Sequence, residues 1–482
     1  MRQFLLRTLH VSWRIAIFCG CFILGVVLAR LFRLNDSLLF LLISIIILIP
    51  GFMIRFWWSA VFVMIAGLAL GLLRGGMLMS PLTDFQNSFE SYVVIKGNIT
   101  DDADTSRDGK QRLKIDVHQL NDKSVRGLVW AELAETAKIR RSDIVTVRGL
   151  LQKGFGNFSG MIKKAIVVNA SRPTPGDIPL TVRDWFASKI RISLNEPQAS
   201  LGIGYLVGQK SALPNDLYTA LQISGLTHIV VASGYNLTIL VRFARRAFEK
   251  VSKFTSTAAA LTMIISFVAI TGLSPSMSRA GLVSILSLLA WYYGRKFHPI
   301  ILIVFVAALT VFWSPAYAWG DIGWLLSFAS FLGVIILAPL LHKYFFGEKE
   351  PSAIRQILGE TISAQLVTLP IILLAFGQLS TVSLLANLLI LPFIPIAMLL
   401  TFIGGLSAIF LPSLASFVGI PANLLLGYMI KIAMTLSEWE WAQVEMPLTA
   451  VDSIIFIAVI ILAIIFLTRS TRHSLRESNI IV

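Results

Sequence analysis

The sequence predicts a polytopic α-helical membrane protein into which a small all-β, OB-like barrel domain is inserted. Of its 482 residues, 56% are hydrophobic and only 14% are charged, whereas soluble domains are about a quarter charged. Apolar runs long enough for membrane helices open the chain and fill most of it after residue 198. Between them, residues 85–172 are polar, and their short apolar stretches alternate with a period of two.

Residues 1–80 predict three transmembrane helices, near 15–32, 37–54 and 57–78, each approaching the ~20 residues that a bilayer requires. In the third, a glycine recurs every fourth residue, which gives one helix face a smooth stripe that another helix can approach closely. These glycines are Gly67, Gly71 and Gly75. Cys19 and Cys21 lie two residues apart and point to different helix faces, so no disulfide between them is expected.

Residues 85–172 predict a small extracytoplasmic β domain. The alternating segments predict five strands, near 92–97, 112–118, 127–132, 143–149 and 165–168, and this count suits an OB-like barrel. Helical periodicity near 132–138 predicts a short helix within the domain.

Residues 178–197 predict a basic amphipathic helix at the membrane interface, in contact with lipid. Residues 198–470 predict a multi-span domain, and residues 471–482 a basic cytoplasmic tail. Its expected spans are 199–209, 226–241, 257–272, 280–293, 299–313, 323–341, 356–376, 381–406, 414–436 and 452–468. Pro392 and Pro395 interrupt the span at 381–406, and a broken helix is tolerated at membrane depth only beside protein or a water-filled cavity.

The distribution of positive charge orients the chain in the cytoplasmic membrane. The net charge is +15. Basic clusters after residues 241, 294 and 468 fall on the same side as the N-terminal arginines, provided that 199–209 does not cross. The positive-inside rule makes that side, with both termini, cytoplasmic and places the β domain outside.

No catalytic constellation is visible. The six histidines lack the close spacing of a metal site, and the HExxH, GxSxG, Walker A and GxGxxG patterns are absent. We therefore expect no enzyme activity, metal or cofactor, and we expect the energy for any transport to come from a partner or a gradient.

Polar side chains at membrane depth are costly and usually mark a path or a binding site. We take eight as pore or gating residues: His228, Ser233, Asn236, Thr238, Arg279, Asp321, Gln365 and Asn387. The Ser233-Gly234 pair is expected to break its helix. Plainer roles stay open, namely a buried histidine bonded to a backbone carbonyl, a snorkelling or phosphate-binding Arg279, a helix-capping or Arg279-paired Asp321, and interhelical amides.

Basic and aromatic residues on the β domain are candidate DNA contacts, because aromatic rings stack on bases and cations bind phosphates. An ordinary solvated surface is an equally good interpretation of the same residues. The candidates are Lys110, Arg112, Lys114, Arg140, Arg141, Lys153, Phe155 and Phe158.

Four motifs in order resemble the ComEC family of bacterial natural transformation. Residues 225–236 resemble its Gly-Leu-x-His…Ser-Gly-Leu-His motif, and 275–281 its small–Arg–Ala helix start. Residues 321–328 are similar to its Asp-x-Gly-Phe-Gln-Leu-Ser-Phe, and 365–392 to its Gln…Pro…Phe followed by Ala-Asn-Leu-x-x-x-Pro. The chain departs from the family at Asn236, where a second histidine is usual, which places any role requiring an imidazole in doubt.

The resemblance implies a channel that passes single-stranded DNA into the cytoplasm. It also implies an extracytoplasmic DNA receptor, a cytoplasmic ATPase or helicase, and a separate nuclease, because no metallo-β-lactamase-like His-x-His-x-Asp-His cluster is present. Two other classes stay open: a secondary transporter of a small solute or lipid, and a membrane-anchored scaffold whose OB-like domain recruits partners.

Overall fold

A computed structural model of the protein describes residues 10–34, 38–53, 58–105, 110–209, 211, 213–230, 233–272, 274–295, 298–348 and 351–471. The chain divides into two compact units. The first comprises Met1–Asp177 with Ile300–Trp324, and the second comprises Ile178–Pro299 with Leu325–Val482. The predicted tail at 471–482 lies, except for Thr471, outside the described residues.

Within the described ranges, eight helices are long and apolar enough to cross a membrane, which confirms a multi-pass helical membrane protein. They span Val11–Leu31, Ser59–Gly76, Lys253–Thr271, Ile322–Phe346, Ile354–Phe376, Ser383–Phe410, Ile420–Ser437 and Ala450–Thr471. Leu38–Met53 and Pro299–Trp313 are apolar but shorter.

The first unit begins with helices α1 (Val11–Leu31), α2 (Leu38–Met53), α3 (Ser59–Gly76) and α4 (Met79–Asn87). The predicted glycine stripe lies against α1: a methyl group added at Gly67 or Gly71 would collide with the carbonyl oxygen of Phe18 or Phe22. The stripe therefore serves a contact within the chain, and the backbones of α1 and α3 approach too closely for a side chain to fit between them.

A buried arginine fastens α2 to α1. Arg14 is 2% exposed, and its guanidinium donates to the carbonyl oxygens of Gly51 and Phe52, at 3.5 and 3.0 Å. Both carbonyls belong to the last turn of α2, where intrahelical donors run out. The cation thus bonds to helix-end carbonyls and lies at the negative end of the helix dipole.

The β domain consists of β1 (Tyr92–Ile99), β2 (Asp104–Thr105), β3 (Gln111–Leu120), β4 (Lys123–Leu133), β5 (Ile144–Lys153) and β6 (Gly160–Ser171). These strands form one sheet in the order β1-β5-β6-β4-β3-β2, in which β1 also pairs with β3, and β4 and β6 run parallel. Alternate residues of β1 are buried, as the period-two pattern predicts, and they enter a core that includes Ile95, Ile115 and Val147.

The prediction of a small all-β domain with five main strands is confirmed, with two qualifications. The predicted barrel is not closed, because β1 and β3 pair over only part of their lengths and the short strand β2 extends the edge beside β3. The helix predicted near 132–138 is wrong: β4 runs to Leu133, and an irregular loop follows it. There, cross-strand pairing and burial of Leu133 override a short helical pattern.

Helices α5–α20 complete the chain, and most belong to the second unit. They are α5 (Ile178–Ser193), α6 (Gln198–Val207), α7 (Asn215–Ile223), α8 (Thr227–Val230), α9 (Gly234–Phe248), α10 (Lys253–Thr271), α11 (Pro275–Tyr292), α12 (Pro299–Trp313), α13 (Ile322–Leu332), α14 (Ala338–Phe346), α15 (Ala353–Phe376), α16 (Ser383–Ile390), α17 (Ile394–Phe410), α18 (Ala415–Val418), α19 (Ile420–Ser437) and α20 (Ala450–Thr471). Strands β7 (Gln378–Ser380) and β8 (Gln443–Glu445) pair antiparallel, and a π-helical segment, Gly333–Leu337, joins α13 to α14.

Helix α6 lies at the centre of the second unit. Every residue from Ala199 to Val207 is buried, as suits a ten-residue helix that is too short to span a bilayer. Gly202 and Gly204 allow close packing: an added methyl group would lie 2.8 Å from Thr401 Oγ1 and 2.7 Å from Val230 Cγ1. The short predicted segment 199–209 is therefore a core element.

The single helix predicted at 226–241 is wrong as a continuous span. The described residues form two helices, α8 and α9, with Ser233 extended as the N-cap of α9. Helix α9 runs on to Phe248 and carries Arg242, Arg245 and Arg246. The break falls at Ser233-Gly234, as the sequence predicts, because the Ser233 hydroxyl accepts from the Asn236 amide and so begins a new helix there.

Candidate functional site

The break between α8 and α9 is the centre of the candidate site, and Asn236 holds it in place. Asn236 is fully buried, and its side-chain amide donates to the carbonyl oxygens of Tyr205 and Ile229, at 3.1 and 3.2 Å. Tyr205 is in the last turn of α6, and Ile229 is in α8. One amide therefore caps two helix ends and fixes the start of the third helix, α9.

A second chain of contacts runs from α8 to α15 and α16. The Nδ1 atom of His228 lies 2.9 Å from the carbonyl oxygen of Gly225, and the ring is otherwise exposed. Gly225 has a positive φ of 73°, and an added side chain there would collide with Ser383. The Gln365 amide donates to the Ser383 hydroxyl at 2.6 Å. His228 and Gln365 are thus linked through the close approach of Gly225 and Ser383.

Asn387 lies one turn beyond Ser383 on α16 and is 3% exposed. Its Oδ1 atom has no hydrogen-bond partner within the described part of the protein. An unsatisfied buried amide is costly and therefore unusual. Thr238 differs from it, because its hydroxyl donates to Gly234 O, 2.8 Å away in its own helix.

Arg279 lies near the start of α11, beside the first residue of α9. It is 9% exposed, and its guanidinium carbon lies 4.9 and 6.0 Å from the ring centroids of Phe331 and Phe328. A methyl group added at Gly234 would lie 3.3 Å from Arg279 Nη2. The structure therefore places Arg279 against the break that Asn236 organises.

Asp321 belongs to the first unit and Arg279 to the second, and each has neighbours within its own unit. Their pairing stays a prediction. Asp321 Oδ1 accepts from the Trp324 amide at 2.7 Å, as a helix cap does, and Oδ2 accepts from the Asn157 side chain at 2.6 Å. Burial raises the pKa of Asp321, which the hydrogen bond from Trp324 partly offsets.

Asn157 lies in the loop between β5 and β6, which is anchored at a second point. The Arg30 guanidinium donates to the carbonyl oxygens of Gly156, at 3.3 Å, and of Trp319, and it also stacks over the Trp319 ring. Sequence reasoning missed Asn157, whose one signal was a polar residue enclosed by glycine and two phenylalanines in a turn.

The same loop contributes to an aromatic and basic surface on the β domain. The rings of Trp130 and Phe155 are 5.9 Å apart, those of Phe155 and Phe158 are 5.1 Å apart, and Phe155 is 50% exposed. The Arg112 guanidinium lies 5.3 Å from the Trp130 ring centroid, and Lys114 is the register partner of Trp130. We call these five residues the aromatic–basic face.

Nearby acids reduce the positive charge of this region. Glu132 accepts from Lys110 at 3.1 Å and lies 3.7 Å from Arg112, while Asp101 pairs with Lys114 at 2.7 Å. The Lys114–Asp101 pair is exposed on both sides, so it contributes little to stability and exchanges readily, whereas the Glu132 side chain is only 13% exposed. A polyanion could therefore displace Asp101 from Lys114 without a large cost to the domain.

The other predicted DNA contacts lie elsewhere or are already engaged. Arg141 is 8% exposed and forms two hydrogen bonds to the Asp177 carboxylate, at 2.9 and 3.2 Å, so we leave it out of any DNA-binding set. The Arg140 backbone amide donates to Asp143, and Lys153 is exposed at the end of β5. No group of three or more His, Cys, Asp or Glu side chains suited to a metal occurs in the described ranges.

The fold and these sites define a multi-pass helical membrane protein that has buried polar residues at a helix break and carries an inserted β-sheet domain. Residues 205–472, more than half of the chain, match the family model described as "Competence protein", and the chain belongs to that family. This confirms the family resemblance found in the sequence motifs.

The chain is also similar to "ComE operon protein 3" of Bacillus subtilis (strain 168), with 25% identity over 227 residues. The aligned part is 46% of this chain and 28% of that protein, so the chain spans less than a third of this curated relative. No solved structure matches.

Proposed function

We propose that this protein passes single-stranded DNA across the cytoplasmic membrane during natural transformation. The observation that carries the proposal is a set of polar contacts inside the region that matches the Competence family. Asn236 and Arg279 lie at the α8–α9 break, His228 bonds to Gly225, and Gln365 bonds to Ser383, which lies against Gly225 and one turn from Asn387. Polar groups and helix ends gathered at membrane depth need protein or water beside them, as a passage provides.

In this proposal the strand meets the aromatic–basic face before it reaches the helical core. Bases stack on Trp130, Phe155 and Phe158, and phosphates contact Arg112 and displace Asp101 from Lys114. We propose an OB-like role for this domain, because the pairing of β1 with both β3 and β5, and of β4 parallel to β6, suits that topology.

The proposed orientation follows from the basic loops: both termini in the cytoplasm and the β domain outside. The proposed partners are an extracytoplasmic DNA receptor, a cytoplasmic ATPase or helicase that supplies the energy, and a separate nuclease for the strand that is not transported. Surrounding lipid contacts the apolar helix faces.

The decisive test measures uptake of labelled external DNA into the cytoplasm. The DNA taken up is the labelled DNA that a nuclease added outside the cell cannot degrade. We expect deletion of the gene to abolish it and the intact gene to restore it. Unchanged uptake after deletion refutes the proposal. If deletion of the gene abolishes a small-solute flux but leaves DNA uptake normal, the protein is a secondary transporter. If His228→Leu and Asn387→Leu keep full DNA uptake while deletion of the β domain abolishes it, the protein is a scaffold.

The aromatic–basic face has its own test. Trp130→Ala should weaken binding of an oligothymidylate to the purified full chain by roughly 5- to 150-fold, because stacking of one base contributes about 1–3 kcal/mol. Tyr92→Ala is the matched control, since Tyr92 is an aromatic residue of the same domain, 74% exposed and outside the face. Equal binding by both variants would remove this face from the proposal.

A further inference from the structure

We infer that Arg279 and the first backbone amides of α9 form a binding site for a phosphodiester group. The inference rests on the proposed function and names the chemistry of one point on the strand's path. It draws on two independent features of the second unit, an unpartnered buried cation and a helix N-terminus beside it.

The first feature is the state of the Arg279 side chain. It is 9% exposed, its buried Nε atom has no hydrogen-bond partner, and no carboxylate among the described residues forms an ion pair with it. Phe331 and Phe328 lie against it, but aromatic faces accept no conventional hydrogen bond and do not neutralise the charge. By contrast, buried Arg14 donates to two helix-end carbonyls. A buried charge without a partner is among the most costly features a fold can retain.

The second feature is the N-terminus of the fifteen-residue helix α9. Its first backbone hydrogen bond is donated by Leu237 to Ser233 O at 3.2 Å, and the Asn236 amide donates to Ser233 Oγ at 3.4 Å. The amides of Gly234 and Tyr235 precede both bonds, so they are the donors that a helix leaves open at its start. Together they carry the positive end of the helix dipole.

These two positive features lie directly against each other. A methyl group added at Gly234 would lie 3.3 Å from Arg279 Nη2 and 3.2 Å from Ala280 Cβ. Gly234 therefore lets the guanidinium lie against the first turn of α9 with no side chain between them. Two positive groups placed so close together repel each other unless an anion contacts both.

A phosphodiester has the chemistry that such a pair of positive groups recognises. Its two charged oxygens accept bidentate hydrogen bonds from a guanidinium and, at the same time, bonds from the amides of a helix N-terminus. Each phosphate of a passing strand would occupy the site in turn, because every nucleotide presents the same group. The site therefore binds without reading base sequence.

The test measures oligothymidylate binding to the full chain reconstituted in lipid nanodiscs. Arg279→Met and Gly234→Ala should each weaken binding roughly tenfold or more, and Arg279→Lys less, since charge-assisted hydrogen bonds are the stronger class. An uncharged methylphosphonate strand should bind the wild type no better than oligothymidylate binds Arg279→Met. Gly234→Ala leaves the cation in place, so it tests the site even where Arg279→Met does not fold.

Arg245→Met is the matched control, because Arg245 lies on α9 with its guanidinium 4.3 Å from the Trp291 ring centroid, away from the break. It should bind as the wild type does. Unchanged affinity in both Arg279→Met and Gly234→Ala overturns the site. If the variants weaken the binding of inorganic phosphate but not that of the oligonucleotide, the site belongs to a free anion, and this also overturns the inference.

Cellular DNA uptake separates this inference from the proposed function. Uptake that is normal in the wild type and in Gly234→Ala refutes only the site. Uptake that does not depend on the gene at all refutes the function, whatever the binding assay gives.

Discussion

Replacing Asn236 by leucine removes the side chain that joins three helix ends, and its cost can be worked out from the structure. Leucine is of similar size but donates nothing. The carbonyl oxygens of Tyr205 and Ile229 lose donors at 3.1 and 3.2 Å, and both are fully enclosed around a residue that is 0% exposed. Neither carbonyl has an intrahelical donor to return to, because α6 ends at Val207 and α8 at Val230.

Each buried acceptor left unsatisfied costs about 1–3 kcal/mol, so two of them destabilise the fold by about 2–4 kcal/mol after some relaxation. Side-chain hydrogen bonds measured within membrane proteins average about 0.6 kcal/mol, which sets a lower limit of about 1 kcal/mol for the pair. Asn236→His should lie between the wild type and leucine, because a neutral imidazole has a single N–H donor.

The assay is equilibrium unfolding of the purified chain in mixed micelles, followed by tryptophan fluorescence. The control is Thr238→Val, which removes a hydroxyl bonded to Gly234 O within its own helix and should change the unfolding free energy by no more than about 0.5 kcal/mol. If Asn236→Leu is no less stable than Thr238→Val, Asn236 does not hold the break together.

Two further predictions concern the first unit. Gly71→Val should destabilise this unit by about 3 kcal/mol, because the new side chain meets the backbone of α1. Gly20→Val, on the open face of α1, is the control and should be nearly neutral in the same unfolding assay. Similar costs for the two variants would contradict the close helix contact. The second prediction concerns pH. Burial raises the pKa of Asp321 above its ordinary 3.8, so the folded state favours the protonated carboxyl. The protonated carboxyl therefore contributes stability at low pH, and this contribution is lost as pH rises from the unfolded-state pKa through the folded-state pKa. Asp321→Asn should remove that part of the pH dependence, and an identical pH profile in the variant would show that Asp321 is not the titrating group.

Local patterns in the sequence predicted most of the secondary structure. Period-two alternation predicted the five main strands, because it reports one buried and one exposed face of a sheet whatever the partner strands are. Apolar length predicted the long helices for a similar reason, since the thickness of the bilayer and not a particular neighbour sets it. The helix break at Ser233-Gly234 was also predictable, because N-capping is a property of a few consecutive residues.

Short apolar segments were not predictable in the same way. The segment at 199–209 is equally compatible with a short span and with a buried core helix, and only the surrounding helices decide between them. The short helix near 132–138 failed for the opposite reason, since pairing of β4 with its neighbours outweighed a local pattern.

The sequence by itself determined the class of this protein, the β domain, the helix break and the set of polar residues that require an explanation. The tertiary structure decided the role of each of them. It made Asn236 a buried clamp, removed Arg141 from the DNA-binding candidates through Asp177, and left Arg279 beside Gly234 without a charge partner among the described residues. The reason is physical: a side chain's partners are set by chain segments far away in sequence, and burial decides whether an unmet hydrogen bond or charge is cheap or costly.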